Sequence, residues 1–266
     1  MHPARYEALS KVEDMLWWHR ARRAVVARIL IRAGIPKAAR ALDVGCGVGG
    51  AFRLFELLGV STAVGIDLAW EALHPAKERW PGKFVVRADA AKPLPFRAES
   101  FDLVTVFGVL YHTWIPDDAT TLRQLAALLK PDGLIVITEP AFPLLGRRMD
   151  EQAMTKRRYF EREITDMACS AGLEPVRTGY FAFTAFFPVL AVAMMERLFQ
   201  HKPETHGDEE AYLPLDFRIP PRWLNRLLLA LTNIEGRAIV SGFRFPFGVT
   251  VIGVYRRIED GDASVF

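Results

Sequence analysis

The chain has 266 residues, a formal net charge of +3 at pH 7 and two cysteines. A net charge this small in a chain of this length gives no argument for a nucleic-acid partner. Two cysteines provide no disulfide framework, which favours a reducing compartment, and the charged first twenty residues contain no apolar signal core. We therefore expect a cytoplasmic protein in which one elaborated α/β domain spans residues 1–266.

A segment of helical character, from Tyr6 to Ala33, precedes the first predicted strand. It combines Trp17 and Trp18 with Arg22 and Arg23. Aromatic and arginine side chains here could cap a ligand pocket, with a guanidinium reaching a ligand carboxylate through paired hydrogen bonds. The alternative is that the tryptophans pack the helix onto the domain while the arginines lie at the surface.

The stretch from Ala41 to Gly50, ALDVGCGVGG, changes from apolar residues to glycines. An apolar run that ends in glycines predicts a buried parallel strand and a tight turn, and the helical pattern after it ends at Gly59. Gly45, Gly47 and Gly50 fit the pattern G-x-G-x-x-G, in which glycines let the backbone approach a nucleotide closely. That pattern alone is a weak signal, because it is often matched by chance.

Acidic residues stand at the ends of the next two predicted strands. The strand Thr62–Leu68 contains Asp67 near its end, and the strand Lys83–Val86 is followed by Asp89. A carboxylate at the end of the second strand can accept both ribose hydroxyls of a nucleoside, as in dinucleotide-binding proteins. Asp89 could hold an adenine amino group.

Strands and helices alternate through the rest of this region. Apolar runs predict strand four, Phe101–Phe107, and strand five, Gly133–Thr138, and helical spacing predicts the helices Trp70–Trp80 and Thr120–Leu129. This alternation predicts an α/β fold with a mostly parallel sheet covered by helices on both faces.

Together these pieces resemble the class I S-adenosylmethionine-dependent methyltransferases. The resemblance covers about residues 40–140 and is carried by DVGCGVGG, VGIDLAWEAL, RADAAKPLPF, FDLVTVFGVLYHT and LKPDGLIVITEP. It implies a Rossmann-like sheet of seven strands, S-adenosylmethionine as the methyl donor and S-adenosylhomocysteine as the product. The segment EDMLWWHRARR, before the first strand, resembles a segment of a bacterial subgroup that acts on small molecules, with Glu13, Trp17, Trp18 and Arg23 in matching places.

The resemblance also implies which residues contact the cofactor. Asp43 and the glycine backbone would face its methionine end, Asp67 its ribose, and Asp89 with Ala90 its adenine. The full set of expected cofactor contacts is Asp43, Gly45, Cys46, Gly47, Asp67, Leu68, Asp89, Ala90, Phe107 and Val109, with Trp18 and Arg23 from the N-terminal segment.

Tyr111 and His112 follow strand four, in a loop at the edge of the sheet where open α/β proteins bind ligands. Both are candidate catalytic and acceptor-binding residues. A neutral imidazole there could take a proton from a hydroxyl or amine as the methyl group arrives. The alternative, which we favour for His112, is that the side chain shapes the loop.

A basic segment follows strand five. Arg157, Arg158 and Tyr159 resemble the closing part of the same subgroup's segment, and arginines beside a tyrosine suit an anionic acceptor group. Glu161 and Glu163 come directly afterwards, so the start of a mixed-charge helix is equally natural.

About 65 residues separate the predicted strand six, Leu173–Phe183, from the predicted last strand, Gly248–Arg256. Within them, the uncharged run Tyr180–Met195 predicts a first helix, which is too short for a membrane span and contains a proline. The segment Pro220–Ile234 predicts a second helix, whose apolar face is formed by Trp223, Leu224, Leu227, Leu228 and Leu231. We expect both helices to pack beside strands four and five and to roof an acceptor pocket. The alternatives are a homodimer contact, a peripheral membrane contact or plain packing.

We divide the single domain into a helical cap (1–39), a cofactor-binding core (40–140), a substrate-side segment with strand six (141–183), a helical insert (184–247) and the last strand (248–257). The expected activity is methyl transfer to oxygen or nitrogen, rather than carbon, of a small molecule that could be amphipathic or lipid-linked. Two alternatives stay open: a module that binds S-adenosylmethionine without transfer, and a nicotinamide-dependent oxidoreductase, which would use the same glycine turn and strand-end acid. No metal site is expected.

Overall fold

The computed structural model describes residues 3–199 and 219–258. Its seven-stranded sheet has the order β3-β2-β1-β4-β5-β7-β6, and β7 alone runs antiparallel to its neighbours β5 and β6. The strands are β1 (Arg40–Val44), β2 (Thr62–Asp67), β3 (Phe84–Arg87), β4 (Phe101–Phe107), β5 (Leu129–Pro140), β6 (Leu173–Phe181) and β7 (Thr250–Arg257). The predicted mostly parallel α/β sheet is confirmed. The strand order reverses between β1 and β4, and such a reversal opens a crevice at the carboxyl ends of the strands.

Helices cover both faces of the sheet. In the described residues they are α1 (Pro3–Val12), α2 (Trp17–Arg32), α3 (Gly50–Leu58), α4 (Trp70–Arg79), α5 (Asp118–Leu128), α6 (Arg148–Gln152), α7 (Glu161–Ser170), α8 (Phe186–Leu198) and α9 (Arg222–Ser241). One buried cluster lies beneath α2, α3 and α9 and includes Phe52 and Phe55. A second lies beneath α5 and α7 and includes Leu122 and Ile164. Burial of the central strands on both faces explains their nearly continuous apolar sequences.

The N-terminal segment differs from the single helical stretch expected over Tyr6–Ala33. Its helix is interrupted after Val12 and resumes at Trp17. The interruption brings Glu13 and Leu16 into buried positions. Because α1 packs against α4 while α2 packs against α3, the two halves cover different parts of the sheet edge.

The insert is placed differently from the expectation that both its helices lie beside β4 and β5. The main contacts of α9 are with α2 and with β6. Its buried face is formed by Thr232, Gly236 and Ile239, whereas the side chains of Trp223 and Leu227 are 67% and 47% exposed. Gly236 permits the close approach, because a Cβ atom there would lie 3.2 Å from the Cβ atom of Val25.

Helix α8 packs against a short 3-10 turn, Pro143–Leu145, that follows β5. The polar stretch 201–210 lies outside the described residues. Within the described residues, none of the helices has the length and apolar character needed to cross a membrane.

Candidate functional site

Two adjoining cavities lie at the carboxyl edge of the sheet. The first, of about 440 Å³, is lined by the glycine turn after β1, the ends of β2 and β3, and the loop after β4. The second, of about 420 Å³, lies between α2, the end of β5, α6 and α8. The residues that line both cavities are Leu9, His19, Arg22, Gly108 and Tyr111.

The glycine turn has a backbone that only glycine adopts easily. Gly45, Gly47 and Gly49 have φ values of +67°, +52° and +85°. A Cβ atom on Gly45 would lie 2.5 Å from a methyl group of Val109, so the turn and the loop after β4 could not approach each other as closely. Cys46 also lines the first cavity, and its thiol is buried.

Asp67 is held at the end of β2 by two backbone groups. The Gly47 N–H donates to its Oδ2 atom and the Ala69 N–H to its Oδ1 atom, both at 2.9 Å. Burial raises the pKa of Asp67, and the hydrogen bonds from Ala69 and Gly47 oppose that rise. Each carboxylate oxygen keeps a second acceptor position for a hydroxyl group of a ligand.

Other residues predicted to contact the cofactor also line the first cavity. Asp89, Ala90 and Leu68 line it, and the Asp89 Oδ1 atom accepts a hydrogen bond of 3.0 Å from the Ala91 N–H. Phe107 and Val109 complete this set at the end of β4.

Asp43 lies at the other end of the first cavity. The Thr105 hydroxyl donates to its Oδ1 atom at 2.6 Å. Burial raises the pKa of Asp43 to about 7, although this hydrogen bond and the charge of Arg22 favour the ionised form.

Arg22 lies where the two cavities meet. Its guanidinium carbon is 4.7 Å from the centre of the Phe107 ring, and its Nη2 atom is 3.5 Å from the Nδ1 atom of His19. No carboxylate of the described residues forms an ion pair with it, and its Nε atom is buried without a hydrogen-bond partner. Burial lowers the pKa of Arg22. A half-buried guanidinium that lines a cavity and lacks a carboxylate partner suits an anionic ligand group.

Arg23, the arginine predicted to contact the cofactor, points elsewhere. Its Nη2 atom is 3.0 Å from the Oδ1 atom of Asp14, and it lines neither cavity. Trp18 lines only the second cavity, with its ring 5.5 Å from that of Phe181. Helical spacing could have identified Arg22, because it lies four residues after Trp18 and therefore on the same face of α2.

Glu13 and His19 join the cap to the glycine turn. A Cβ atom on Gly50 would lie 1.9 Å from the Oε1 atom of Glu13, so the carboxylate rests directly on the start of α3. Arg79 contacts the other oxygen of Glu13 at 3.0 Å. The Nδ1 atom of His19 is 3.8 Å from the Oε1 atom of Glu13. Burial, followed by the charges of Arg22 and its neighbours, lowers the pKa of His19 well below its ordinary value, so the imidazole is neutral at pH 7.

Glu139, which sequence reasoning missed, fixes the loop after β4. Its carboxylate accepts hydrogen bonds from the backbone N–H groups of Val109, Leu110 and Tyr111, at 3.0, 2.9 and 3.3 Å. Burial raises its pKa to about 8, against the effect of these three bonds. An acidic residue at the end of the apolar strand GLIVITEP was the available signal.

The aromatic side chains of this loop form a stack. The ring centre of His112 lies 4.0 Å from that of Tyr111 and 4.3 Å from that of Trp114. Burial lowers the pKa of His112 to about 4, and its Nδ1 atom has no hydrogen-bond partner among the described residues. His112 lines the first cavity but not the second, whereas Tyr111 lines both.

The basic segment after α6 is mostly turned away from the cavities. The Tyr159 hydroxyl donates to the Oδ2 atom of Asp118 at 2.9 Å, and an Nη2 atom of Arg157 lies 2.6 Å from the same oxygen. Neither residue lines a cavity. Arg158 does line the second cavity, and it donates two hydrogen bonds, of 2.7 and 2.9 Å, to Asp150. The expected direct substrate role therefore loses geometric support for Arg157 and Tyr159.

No group of three or more acidic, histidine or cysteine side chains suited to a metal ion occurs within residues 3–199 and 219–258. The first cavity has the carboxylates of Asp67 and Asp89 near the ends of β2 and β3. In agreement, residues 42–137 match the family model described as a methyltransferase domain. Residues 42–137 of the chain are therefore similar to a methyltransferase domain.

Individual relatives agree with this assignment. A demethylmenaquinone methyltransferase of Staphylococcus aureus is 35% identical over 124 residues, which are 44% of this chain and 50% of the relative. The chain thus spans about half the length of the curated relatives it matches.

Two solved structures share the fold of the methyltransferase domain. A chain from the complex between the Haloferax volcanii Trm112 methyltransferase activator and a protein described as a methyltransferase matches with a TM-score of 0.60 and 17% identity over 96% of this chain and 98% of the other. Phosphoethanolamine N-methyltransferase 2 of Haemonchus contortus, solved with S-adenosyl-L-methionine, matches with a TM-score of 0.54 and 21% identity over 87% of this chain and 51% of the other.

Proposed function

We propose that the chain transfers a methyl group from S-adenosylmethionine, held in the first cavity, to a small molecule held in the second. The observation that carries the proposal is the shared boundary of the two cavities at Arg22, Gly108 and Tyr111. Methyl transfer requires the donor carbon and the acceptor atom to be aligned, and two ligands held in adjoining cavities would meet this requirement.

The side chains of the first cavity fit the donor at both ends. Asp67 would accept the ribose hydroxyls, and Asp89 would accept the adenine amino group beside the apolar wall of Ala90. At the other end, the unpaired guanidinium of Arg22 would bind the carboxylate, and Asp43 would face the amino group. The buried Nε atom of Arg22, which has no partner among the described residues, supports this fit.

When bound, S-adenosylmethionine would supply a methyl group on a positively charged sulfur; the lone pair of an acceptor oxygen or nitrogen would form a bond to the methyl carbon as the carbon–sulfur bond breaks, which leaves S-adenosylhomocysteine. The residues of this chain would bind the donor and the acceptor, orient them and exclude water from the site. Glu139 fixes the loop that carries Tyr111, and the stack of Tyr111, His112 and Trp114 closes one wall of the first cavity.

The second cavity favours an apolar acceptor. Its wall includes Leu16, Trp17, Trp18 and Val189, while the charges of Arg158 and Asp150 compensate each other. This apolar wall supports a hydrophobic or lipid-linked acceptor. The name of the S. aureus relative, a demethylmenaquinone methyltransferase, agrees with a small-molecule acceptor.

His19 takes the place of His112 as the proposed proton acceptor, because it lines both cavities and His112 lines only the first. Its imidazole is neutral in the free protein, partly because of the nearby positive charge of Arg22. A donor carboxylate paired with Arg22 would offset that charge and raise the pKa of His19 toward the range useful for general-base catalysis.

The test combines donor binding with transfer. Calorimetry should show binding of S-adenosylmethionine and its product, with weaker or no binding of nicotinamide cofactors. When the protein is incubated with S-adenosylmethionine that carries a labelled methyl group and with pools of small apolar acids, phenols and amines, the label should appear in one of these acceptors. Val189→Trp should abolish transfer by filling the second cavity while the donor affinity stays unchanged, and Val192→Trp, which does not alter that lining, is the matched control.

Two results would contradict the proposal. Tight donor binding with no transfer to any pool, in a folded protein, would indicate a binding module. Preference for a nicotinamide cofactor would indicate an oxidoreductase.

A further inference from the structure

Helices α2 and α9 pack along each other and form a surface that is rich in cations. The only carboxylate within these two helices is that of Glu235, which is 4% exposed and accepts hydrogen bonds from the backbone N–H groups of Phe183 and Thr184. The exposed arginines of the two helices are Arg20, Arg32, Arg222, Arg226 and Arg237. The outer face of the pair, which we call the α2–α9 surface, therefore carries positive charge without a compensating acid of its own.

Apolar side chains stand beside these arginines. Trp223, Leu227 and Ile234 are 67%, 47% and 62% exposed, and their spacing of four and seven residues places them in one stripe along α9. Arg222 and Arg226 lie along one edge of that stripe. Burying a large apolar side chain contributes about 1.5–3 kcal/mol, so a contiguous exposed stripe indicates a binding surface.

We propose that the α2–α9 surface docks the protein on an anionic lipid bilayer. A helix with an apolar stripe, a tryptophan and flanking arginines is suited to lie in the plane of the membrane interface, with the guanidinium groups at the headgroup phosphates. Helix α9 does not meet the requirements for a membrane span, so the contact is peripheral. The occupant is identified by its chemistry, an apolar layer below a negatively charged surface.

The alternatives fit the surface less well. Nucleic acid would neutralise the arginines but would leave Trp223, Leu227 and Ile234 facing a polar backbone. A two-fold dimer through the same stripe would bring the arginines of two copies together, and like charges at close range oppose association.

The docked orientation would place the second cavity near the lipid headgroups. Pro220, just before α9, lines that cavity. The Asn225 side chain accepts a hydrogen bond from the Trp17 N–H at 3.0 Å and donates one to the carbonyl of Met15 at 2.9 Å. These bonds tie the first turn of α9 to the cavity wall. The docking proposal goes beyond methyl transfer, since binding to vesicles requires neither donor nor acceptor.

The experiment is co-sedimentation of the full chain with vesicles of phosphatidylcholine alone and of phosphatidylcholine with phosphatidylglycerol. We expect binding to the anionic vesicles that weakens as salt rises. Each arginine near an anionic surface contributes about a fivefold factor, so Arg222→Gln with Arg226→Gln should weaken partition roughly 30-fold. Trp223→Ala should weaken it about tenfold through lost apolar contact.

The matched control is Arg123→Gln with Arg162→Gln, which removes two exposed arginines from α5 and α7. It should leave partition unchanged, and thermal melting should show that all variants remain folded. Equal partition to neutral and anionic vesicles, or an equal loss in the control, would overturn the proposal. So would a dimer in light scattering that Trp223→Ala dissociates, or tighter binding to an oligonucleotide than to anionic vesicles.

Discussion

Two adjacent arginines on α2 should give opposite results when each is replaced by methionine: one replacement should lower the affinity for the cofactor, and the other should lower the stability of the fold. Arg22 is half-buried and has no carboxylate partner among the described residues, so Arg22→Met should leave the free energy of unfolding unchanged or slightly higher. It should weaken S-adenosylhomocysteine by about 2–4 kcal/mol, roughly 30- to 1,000-fold in Kd, because a buried charged hydrogen bond to the ligand carboxylate is lost. Arg23→Met should leave the affinity unchanged.

The loss from Arg23→Met should appear in stability instead. Asp14 loses its 3.0 Å partner but keeps Arg79 at 2.9 Å, and it is partly exposed. We therefore expect a decrease of about 1–2 kcal/mol in the free energy of unfolding, less than for a fully buried pair. Calorimetric titration and urea denaturation of both variants measure the two quantities separately. Lower affinity in Arg23→Met with near-normal affinity in Arg22→Met would refute the assignment of Arg22 to the donor carboxylate.

Three further predictions concern single side chains of the first cavity. His19→Ala should lower turnover about 10²–10⁴-fold with donor affinity nearly intact, whereas His112→Ala should lower turnover less than tenfold. Steady-state kinetics measures both effects once an acceptor has been identified. A larger loss in His112→Ala than in His19→Ala would restore His112 as the base. Asp67→Ala should weaken S-adenosylmethionine by about 2–4 kcal/mol, and calorimetry that shows unchanged affinity in a folded variant would remove Asp67 from the ribose site. Because burial raises the pKa of Asp43 to about 7, its contribution to stability is complete below the unfolded value of 3.8 and declines as the pH rises through 7. Asp43→Asn should flatten that part of the urea-denaturation profile, and an unaltered profile would show that Asp43 is ionised throughout.

The sequence by itself determined the sheet and placed Asp67 and the glycine turn at one edge of it, where both line the first cavity. Apolar runs that alternate with helical patterns predict a parallel sheet. Few topologies are then possible, because β-α-β crossovers are right-handed and only a small number of strand orders occur. Asp67 could be located because it stands at the end of a strand, where the direction of the chain fixes which edge of the sheet it reaches. The tight turn at Gly45 and Gly47 could also be predicted from the sequence, since a positive φ favours glycine almost regardless of what surrounds it.

Only the tertiary structure decided which side chains of the helices and of the basic segment reach the cavities. Arg22 and Arg23 are chemically identical neighbours, but successive residues of a helix point about 100° apart. The way in which α2 packs on the domain therefore places Arg22 at the cavity and Arg23 beside Asp14. Likewise Arg158 faces the second cavity while Arg157 pairs with Asp118, 39 positions earlier in the chain. The outward face of α9 was also undetermined by its sequence, because apolar residues occur on more than one side and the glycine contact at Gly236 selects which side is buried.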